Sequence, residues 1–230
     1  MIDSRKRSFL PSFVRRNGRK LQGNRRNLVE ELLPKLLIEL PEQGDLLLED
    51  LFAQPNLPLW FEIGFGGGEH LIEQARLNPG VNFIGCEPYI NGVANLLAAI
   101  ERDNLQNIRL FQDDARLVLE KLADDSLSRL FVLFPDPWRK NKHHKRRIIS
   151  QDSLELFYRK IQAGGLLRIA TDHVDYGVWI LQNILAFKKF IWTAKTQTDW
   201  QNPPQDWVKT RYQEKAEQEG RSPMFIDLRK

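Results

Sequence analysis

The feature of this sequence that most constrains its fold is an alternation of short apolar runs with segments of helical periodicity, which begins at residue 59. The runs are apolar at successive positions, which is typical of strands buried on both faces. Segments of helical length separate them, and crossovers of this kind join parallel strands. We therefore expect an α/β fold in which helices cover both faces of a doubly wound, mostly parallel sheet. The five runs are residues 59–63, 81–87, 107–111, 130–134 and 166–171.

Apolar spacing and capping residues place the helices between these strands. Apolar residues recur at helical spacing from Val93 to Ile100 and again from Leu154 to Ile161. We expect Ser150 to cap the second of these helices and Gly164-Gly165 to end it.

We divide the chain into two parts at residue 57. Residues 1–57 are expected to form a basic N-terminal arm followed by a helix around Leu28 to Leu40. Residues 58–230 are expected to form the α/β domain, to which residues 190–192 and 224–228 would add strands, one of them antiparallel at an edge.

The positive charge of the chain is concentrated in two segments. Residues 1–27 hold nine Lys and Arg and one acidic residue, and residues 139–147 hold six more cations and no acidic residue. Because the net charge of the whole chain is only +4, the remaining residues are acidic on balance. An acidic body with two basic patches favours a polyanionic partner such as RNA, although a basic run can also be a solvated surface.

Composition excludes several other classes of protein. The single cysteine, Cys86, cannot form an internal disulfide or a zinc cluster, which indicates a reducing compartment. No apolar run is long enough to span a membrane, and the start of the chain does not resemble a signal peptide. The adjacent His143 and His144 lie among cations and make a poor metal site. We expect a cytoplasmic protein that binds neither a membrane nor a metal, as a monomer or a homodimer.

A glycine-rich loop follows the first predicted strand. Gly64, Gly66 and Gly68 would let a ligand approach the backbone at the start of a helix. The dinucleotide-binding pattern fails because its third glycine would fall on Glu69, and Glu62 would repel a pyrophosphate. A ligand with a cationic or hydroxyl-rich end fits better, and the spacing E-x-G-x-G-x-G resembles the first motif of class I S-adenosylmethionine methyltransferases. A glycine turn without a ligand remains the alternative.

The next two strands also end in acidic residues. Glu87 lies where a nucleoside ligand would present its ribose hydroxyls, which a carboxylate can accept as hydrogen-bond donors. After the third strand, Asp113 or Asp114 could accept from an adenine amino group or could cap the next helix.

The fourth strand runs into a proline-bracketed turn and a basic segment. Pro135 and Pro137 restrict the backbone on both sides of Asp136. They fix a carboxylate at the centre of the cleft that open α/β sheets form at the carboxyl ends of their strands. Trp138 could stack on a planar base while the cations of residues 139–147 hold its phosphates. The alternative is a rigid turn followed by a solvated basic loop.

Five segments together resemble the bacterial tRNA (guanine-N7-)-methyltransferase family, over residues 15 to 230. This resemblance implies a seven-stranded, Rossmann-like class I methyltransferase fold with an antiparallel edge strand. It also implies transfer of a methyl group from S-adenosylmethionine to N7 of the guanine at position 46 of tRNA, with S-adenosylhomocysteine as product. The segments are EIGFGGGEHL, GCEPYINGVANLL, LFPDPWRKNKHHKRRI, ATDHVDYGVW and TRYQEKAEQEGRSPMFIDL.

The resemblance also implies roles for individual residues. The family usually has T-x-[FY]-E where this chain has Thr210-Arg211-Tyr212-Gln213-Glu214. Either Glu214 replaces the family's carboxylate in a shifted register, or Gln213 keeps only its hydrogen bond. By motif, the cofactor residues would be Glu62, Glu87, Asp114 and Asp136, and the substrate-facing residues Lys140, Asp172 and the segment from Thr210 to Gln213.

The chemistry of guanine N7 suggests a mechanism. N7 has an in-plane lone pair and needs no base, so the main requirement is alignment with the methyl donor. We assign Asp136, with Asp172 as second candidate, to accept hydrogen bonds from N1–H and N2–H of guanine and to stabilise the charge that forms. Lys140, Arg146 and Arg147 would hold phosphates. The alternatives are methylation of an exocyclic amine and an RNA-binding protein without activity.

Overall fold

The computed structural model of the chain describes residues 16–230, and a sheet of seven strands forms its centre. Residues 1–15, which include the first part of the expected basic arm, lie outside the described residues. The strands are β1 (Leu59–Ile63), β2 (Asn82–Cys86), β3 (Ile108–Phe111), β4 (Leu127–Leu133), β5 (Ile161–Thr171), β6 (Ile191–Trp192) and β7 (Met224–Arg229).

The strand order is β3-β2-β1-β4-β5-β7-β6. Strands β1 to β5 pair in parallel, whereas β7 is antiparallel to both β5 and β6. This order confirms the expected doubly wound, mostly parallel sheet. The antiparallel strand is β7, and the two-residue β6 forms the edge beside it.

Helices cover both faces of the sheet. Successive residues of a strand point to opposite faces, so Phe61 and Leu130 enter one apolar cluster while Trp60 and Phe131 enter the other. None of the helices among residues 16–230 is long and apolar enough to cross a membrane. They are α1 (Asn24–Glu31), α2 (Leu33–Leu36), α3 (Glu69–Leu77), α4 (Ile90–Asp103), α5 (Ala115–Lys121), α6 (Gln151–Lys160), α7 (Val174–Phe187), α8 (Thr198–Gln201) and α9 (Arg211–Gln218), with 3₁₀ helices at Leu48–Asp50 and Asn141–Arg146.

Two predicted helix boundaries are wrong. The single helix expected from Leu28 to Leu40 is divided into α1 and α2, because Pro34 lies in the first turn of α2 and cannot continue a preceding helix. Helix α6 ends at Lys160, so Gly164-Gly165 does not end it. The two glycines lie instead inside β5, where residues 162–165 stand opposite the single residue Ser128 of β4 and Gly164 has a φ of +75°. The predicted cap at Ser150 is confirmed, since its side chain accepts a hydrogen bond from the Ser153 N–H.

Candidate functional site

A cleft of about 380 Å³ opens at the carboxyl ends of β1, β2, β3 and β4. This is the edge at which open α/β sheets bind ligands, and the volume is within the usual range for small-molecule pockets. The cleft therefore brings together the acidic residues predicted after β2, β3 and β4, whereas Asp172 after β5 does not line it. The lining residues include Ile63, Gly64, Gly66, Cys86, Glu87, Tyr89, Asp113, Asp114, Phe134, Asp136, Trp138, Lys145, Arg146 and Tyr212.

The glycine loop forms one wall of the cleft and leads into α3. Gly66 has a φ of +57°, and a Cβ atom there would lie 2.8 Å from Cε2 of Tyr212. The left-handed φ favours glycine at this position, and a side chain there would displace the exposed ring of Tyr212. Gly68, with a φ of +85°, is the N-cap of α3, while Gly64 lines the cleft directly.

Glu87 holds the glycine loop in place from the end of β2. Its Oε2 accepts a hydrogen bond from the Gly66 N–H at 2.8 Å, and its Oε1 accepts one from the Tyr89 N–H at 2.9 Å. Burial raises the pKa of the Glu87 carboxyl, and the nearby charge of Asp136 acts in the same direction, while the two backbone donors oppose the shift. The side chain is only 6% exposed, so its remaining acceptor capacity is directed at the cleft that it lines.

Asp114 takes the capping role that the sequence offered and also lies in the cleft. It caps α5 by accepting from the Arg116 N–H, and its carboxylate also pairs with the Arg116 guanidinium at 2.6 Å. It lines the cleft as well. The neighbouring Asp113 pairs with Arg16, which belongs to the N-terminal segment and was not expected at this site.

The turn after β4 carries Asp136 into the cleft under backbone strain. Phe134 and Trp138 have φ angles of +49° and +44°, a conformation that bulky residues rarely adopt. Asp136 is exposed to the cleft, whose walls partly bury it and thereby raise the pKa of its carboxyl. Strain at a turn that presents a carboxylate is typical of functional sites.

The basic segment after this turn separates into two groups. Lys145 and Arg146 line the cleft, and the Arg146 guanidinium lies 5.0 Å from the ring centre of Trp138. Lys140 is exposed immediately before the 3₁₀ helix.

Arg147 has a different position from the one expected. It is buried, donates to the Pro137 carbonyl at 2.9 Å and lies over the rings of Tyr176 and Trp179. Arg147 therefore stabilises the turn from behind and does not face the cleft.

Glu62 is also directed away from the cleft. Its Oε2 lies 2.7 Å from Nδ1 of His70, and both side chains are buried beneath the glycine loop. His70 was not singled out from the sequence, although its position directly after the loop was a usable signal.

The C-terminal residues are divided between the core and the mouth of the cleft. Thr210 caps α9, and Gln213 is buried, where it accepts from Trp207 and donates to Glu217. Arg211, Tyr212 and Glu214 are exposed: Arg211 pairs with Glu69, the first residue of α3, and Tyr212 lines the cleft. Asp172 accepts a hydrogen bond from Arg221 at 2.8 Å.

No group of three or more His, Cys, Asp or Glu side chains within residues 16–230 has an arrangement that could hold a metal ion. The cleft instead brings together acidic acceptors at its floor and cations at its mouth. The carboxylates suit a ligand whose hydroxyl and amino groups donate hydrogen bonds, and the cations suit a polyanion that lies beside it.

Comparisons with known proteins agree with this chemistry. A family model described as "Putative methyltransferase" matches residues 56–225. A protein of Rhodospirillum rubrum named tRNA (guanine-N(7)-)-methyltransferase is 45% identical over 221 residues, which are 95% of this chain and 87% of that protein. A protein of Chelativorans sp. with the same name is 41% identical over 220 residues, covering 96% of this chain and 95% of its own. An rRNA methylase structure from Streptococcus thermophilus has a TM-score of 0.52 at 12% identity, over 76% of this chain and 87% of that one, a likeness of fold alone.

Proposed function

The chain belongs to the tRNA (guanine-N7-)-methyltransferase family, and we infer from its cleft how it methylates N7 of guanine in tRNA. Its sheet is that of class I methyltransferases. We propose that the methyl donor is S-adenosylmethionine and that the acceptor is guanine 46 in the variable loop of tRNA. We also propose that residues 58–230 carry the transfer and that residues 1–57 help to bind tRNA, in the cytoplasm where tRNA is modified.

The residues of the cleft fit this donor. Glu87 and Asp114 supply carboxylate oxygens for ribose hydroxyls and for an amino group, and Gly64 leaves open space in the cleft where a side chain would project. When bound, S-adenosylmethionine supplies an electrophilic methyl group on a sulfonium. Glu62, which pairs with His70, would act from beneath the loop by holding its shape.

The observation that carries the proposal is the position of Asp136. The strained turn after β4 places this carboxylate in the same cleft as Glu87, beside Trp138 and within reach of the cations of the basic segment. A base that enters between them meets an acceptor, an aromatic ring and phosphate-binding groups at once.

Asp136 acts on the acceptor side of the reaction. Guanine N7 attacks with a lone pair, so the protein has to align the base rather than remove a proton first. A carboxylate that accepts from N1–H and N2–H balances the positive charge that develops on the ring. Asp172 is engaged with Arg221 and lies outside the cleft lining, which favours Asp136 over it.

The substrate backbone would be held around the mouth of the cleft. Lys145, Arg146 and Tyr212 line the cleft, and the exposed Lys140 and Arg211 would add contacts to the phosphates. Trp138 would stack on the base or form the wall of its pocket. Glu214 is exposed on the same helical turn as these residues, whereas Gln213 is buried, so Glu214 is the better candidate for the family's carboxylate.

The decisive experiment uses labelled S-adenosylmethionine and bulk tRNA that lacks this modification. We expect label in tRNA, and strand cleavage after borohydride and aniline treatment at position 46, which reports N7-methylguanine. Label that resists this cleavage and migrates as an N-methylated exocyclic amine would contradict the proposal. Binding of tRNA without any incorporated label would instead indicate an RNA-binding protein.

A further inference from the structure

A segment near the C-terminus packs against one face of the sheet. We call residues 203–218 the C-terminal strap; it follows α8 and includes α9. Its Trp207 packs edge-on against Phe225 of β7, with ring centres 4.7 Å apart, and also contacts His70 and Phe134. The strap is thus in contact with the sheet and with the elements that form the cleft.

The strap is anchored by one carboxylate held between two arginines of the sheet. Asp206 Oδ1 accepts from Arg168 Nη1 of β5 at 2.8 Å, and its Oδ2 accepts from Arg129 of β4. The backbone carbonyl of Asp206 also accepts from the buried Gln74 Nε2 of α3 at 2.9 Å. Three elements of the core therefore hold one residue of the strap.

Arg168, one of these two arginines, has an unusual location for a charged residue. Arg168 is 3% exposed and lies in the middle of a central strand, where an unpaired charge would be very costly. Its other two guanidinium nitrogens, Nε and Nη2, donate to Asp227, its cross-strand neighbour on β7, at 2.8 Å. Burial opposes ionisation of Asp206, but the hydrogen bonds from Arg129 and Arg168 outweigh it and lower the pKa of this carboxyl.

The anchor is connected to the mouth of the cleft through a short, rigid link. Trp207 Nε1 donates to Gln213 Oε1 at 2.6 Å, and Thr210 caps the helix that begins at Arg211. The first turn of this helix places Arg211 against Glu69 and the ring of Tyr212 against Gly66. These contacts connect Asp206 to Arg211 and Tyr212 through consecutive residues of the strap.

We propose that Asp206 is a positioning residue for methyl transfer, which fixes Arg211 and Tyr212 at the cleft by anchoring the C-terminal strap to Arg129 and Arg168. This inference rests on the proposed function, because it needs the first turn of α9 to face tRNA. Asp206 itself is not among the residues that line the cleft, so its effect is indirect.

Two substitutions of the same kind separate anchoring from general stability. Asp206→Asn and Asp227→Asn each remove a carboxylate from Arg168, but only the first releases the strap. We expect both to lower the Tm. We expect kcat/KM for tRNA to fall at least about tenfold only in Asp206→Asn, since the charged hydrogen bonds lost there set the docked fraction of the strap. Asp206→Glu, which keeps the carboxylate, should recover most of this loss.

Limited trypsin digestion gives a readout that does not depend on activity. Lys209 and Arg211 are exposed residues of the strap, and we expect faster cleavage after them in Asp206→Asn than in wild type or Asp227→Asn. If Asp206→Asn does not fold, Arg129→Gln removes one of the two tethers from the sheet side and must show the same selective loss.

The inference is overturned if Asp206→Asn keeps the wild-type kcat/KM and digestion pattern, or if Asp227→Asn loses activity to the same degree. Failure of the proposed function looks different. In that case the wild-type protein itself makes no N7-methylguanine, while the digestion pattern still reports whether Asp206 anchors the strap.

Discussion

Replacement of Glu87 by Gln tests the assignment of the cofactor site with little change of shape. The side chain accepts one backbone N–H on each oxygen, from Gly66 and from Tyr89. A carboxylate has about four acceptor positions, so capacity remains for two ribose hydroxyls. Gln keeps one acceptor oxygen and turns the other into an NH₂ group, which cannot accept and faces a backbone donor.

The size of the effect follows from these contacts. A hydrogen bond to a charged group contributes about 1.5–3 kcal/mol, so loss of the ribose contact weakens cofactor binding roughly 10- to 100-fold. The buried backbone donor that loses its acceptor costs about 1–3 kcal/mol in addition. Removal of a buried charge offsets part of this second cost, because burial raises the pKa of Glu87 and thus disfavours its ionised form. We therefore expect a large loss of affinity and a smaller loss of thermal stability.

Calorimetric titration with S-adenosylhomocysteine measures the affinity, and circular dichroism measures the Tm. Glu73→Gln, the same change on the surface of α3, is the matched control and should alter neither quantity. Glu87→Ala should weaken binding at least as much as Glu87→Gln. Unchanged affinity in folded Glu87→Gln and Glu87→Ala proteins would refute the ribose assignment.

Three further predictions concern the turn and the basic segment. Asp136→Asn should lower the single-turnover rate by about 10² or more while tRNA binding changes little, as measured by quenched-flow methylation and filter binding. Partial burial raises the pKa of the Asp136 carboxyl, and its ionised form is the active one. As the pH is lowered, the wild-type rate should therefore begin to fall at a higher pH than an ordinary aspartate would give. Asp136→Asn should lack this decline. Arg146→Ala should reduce the slope of the log–log plot of tRNA affinity against salt concentration by about 0.7–0.9. Arg147→Ala should chiefly lower the Tm, because Arg147 packs on Tyr176. Equal salt slopes in the two variants would contradict this division.

The acidic floor of the cleft could be predicted because it depends on chain topology alone. Parallel strands end at the same edge of a sheet, so Glu87, Asp114 and Asp136 had to converge once the strands were placed correctly. Glu62 could not be placed in the same way. Side chains alternate along a strand, and Glu62 shares the face of Trp60, which turns it toward His70 instead of the cleft.

The strap could not be predicted because its contacts are remote in sequence and lack periodicity. Asp206 is 38 residues from Arg168 and 77 from Arg129, and no pattern in the sequence links them. One local signal existed: Trp207 lies in a polar, proline-rich segment, where a large apolar ring indicates that the segment packs against the body of the protein.

The turn around Asp136 explains why charge alone could not show which cations of residues 139–147 face the cleft and which support the turn. Phe134 and Trp138 adopt left-handed φ angles without being glycine, at a cost of roughly 1–2 kcal/mol each, and Phe134 also precedes a proline. Such a turn persists only if its surroundings hold it. Arg147 does so by its hydrogen bond to the Pro137 carbonyl, whereas Arg146 lines the cleft beside Trp138. Part of the positive charge in the basic segment therefore stabilises the catalytic turn instead of binding RNA. The adjacent Arg146 and Arg147 have different functions because their side chains leave the backbone in different directions.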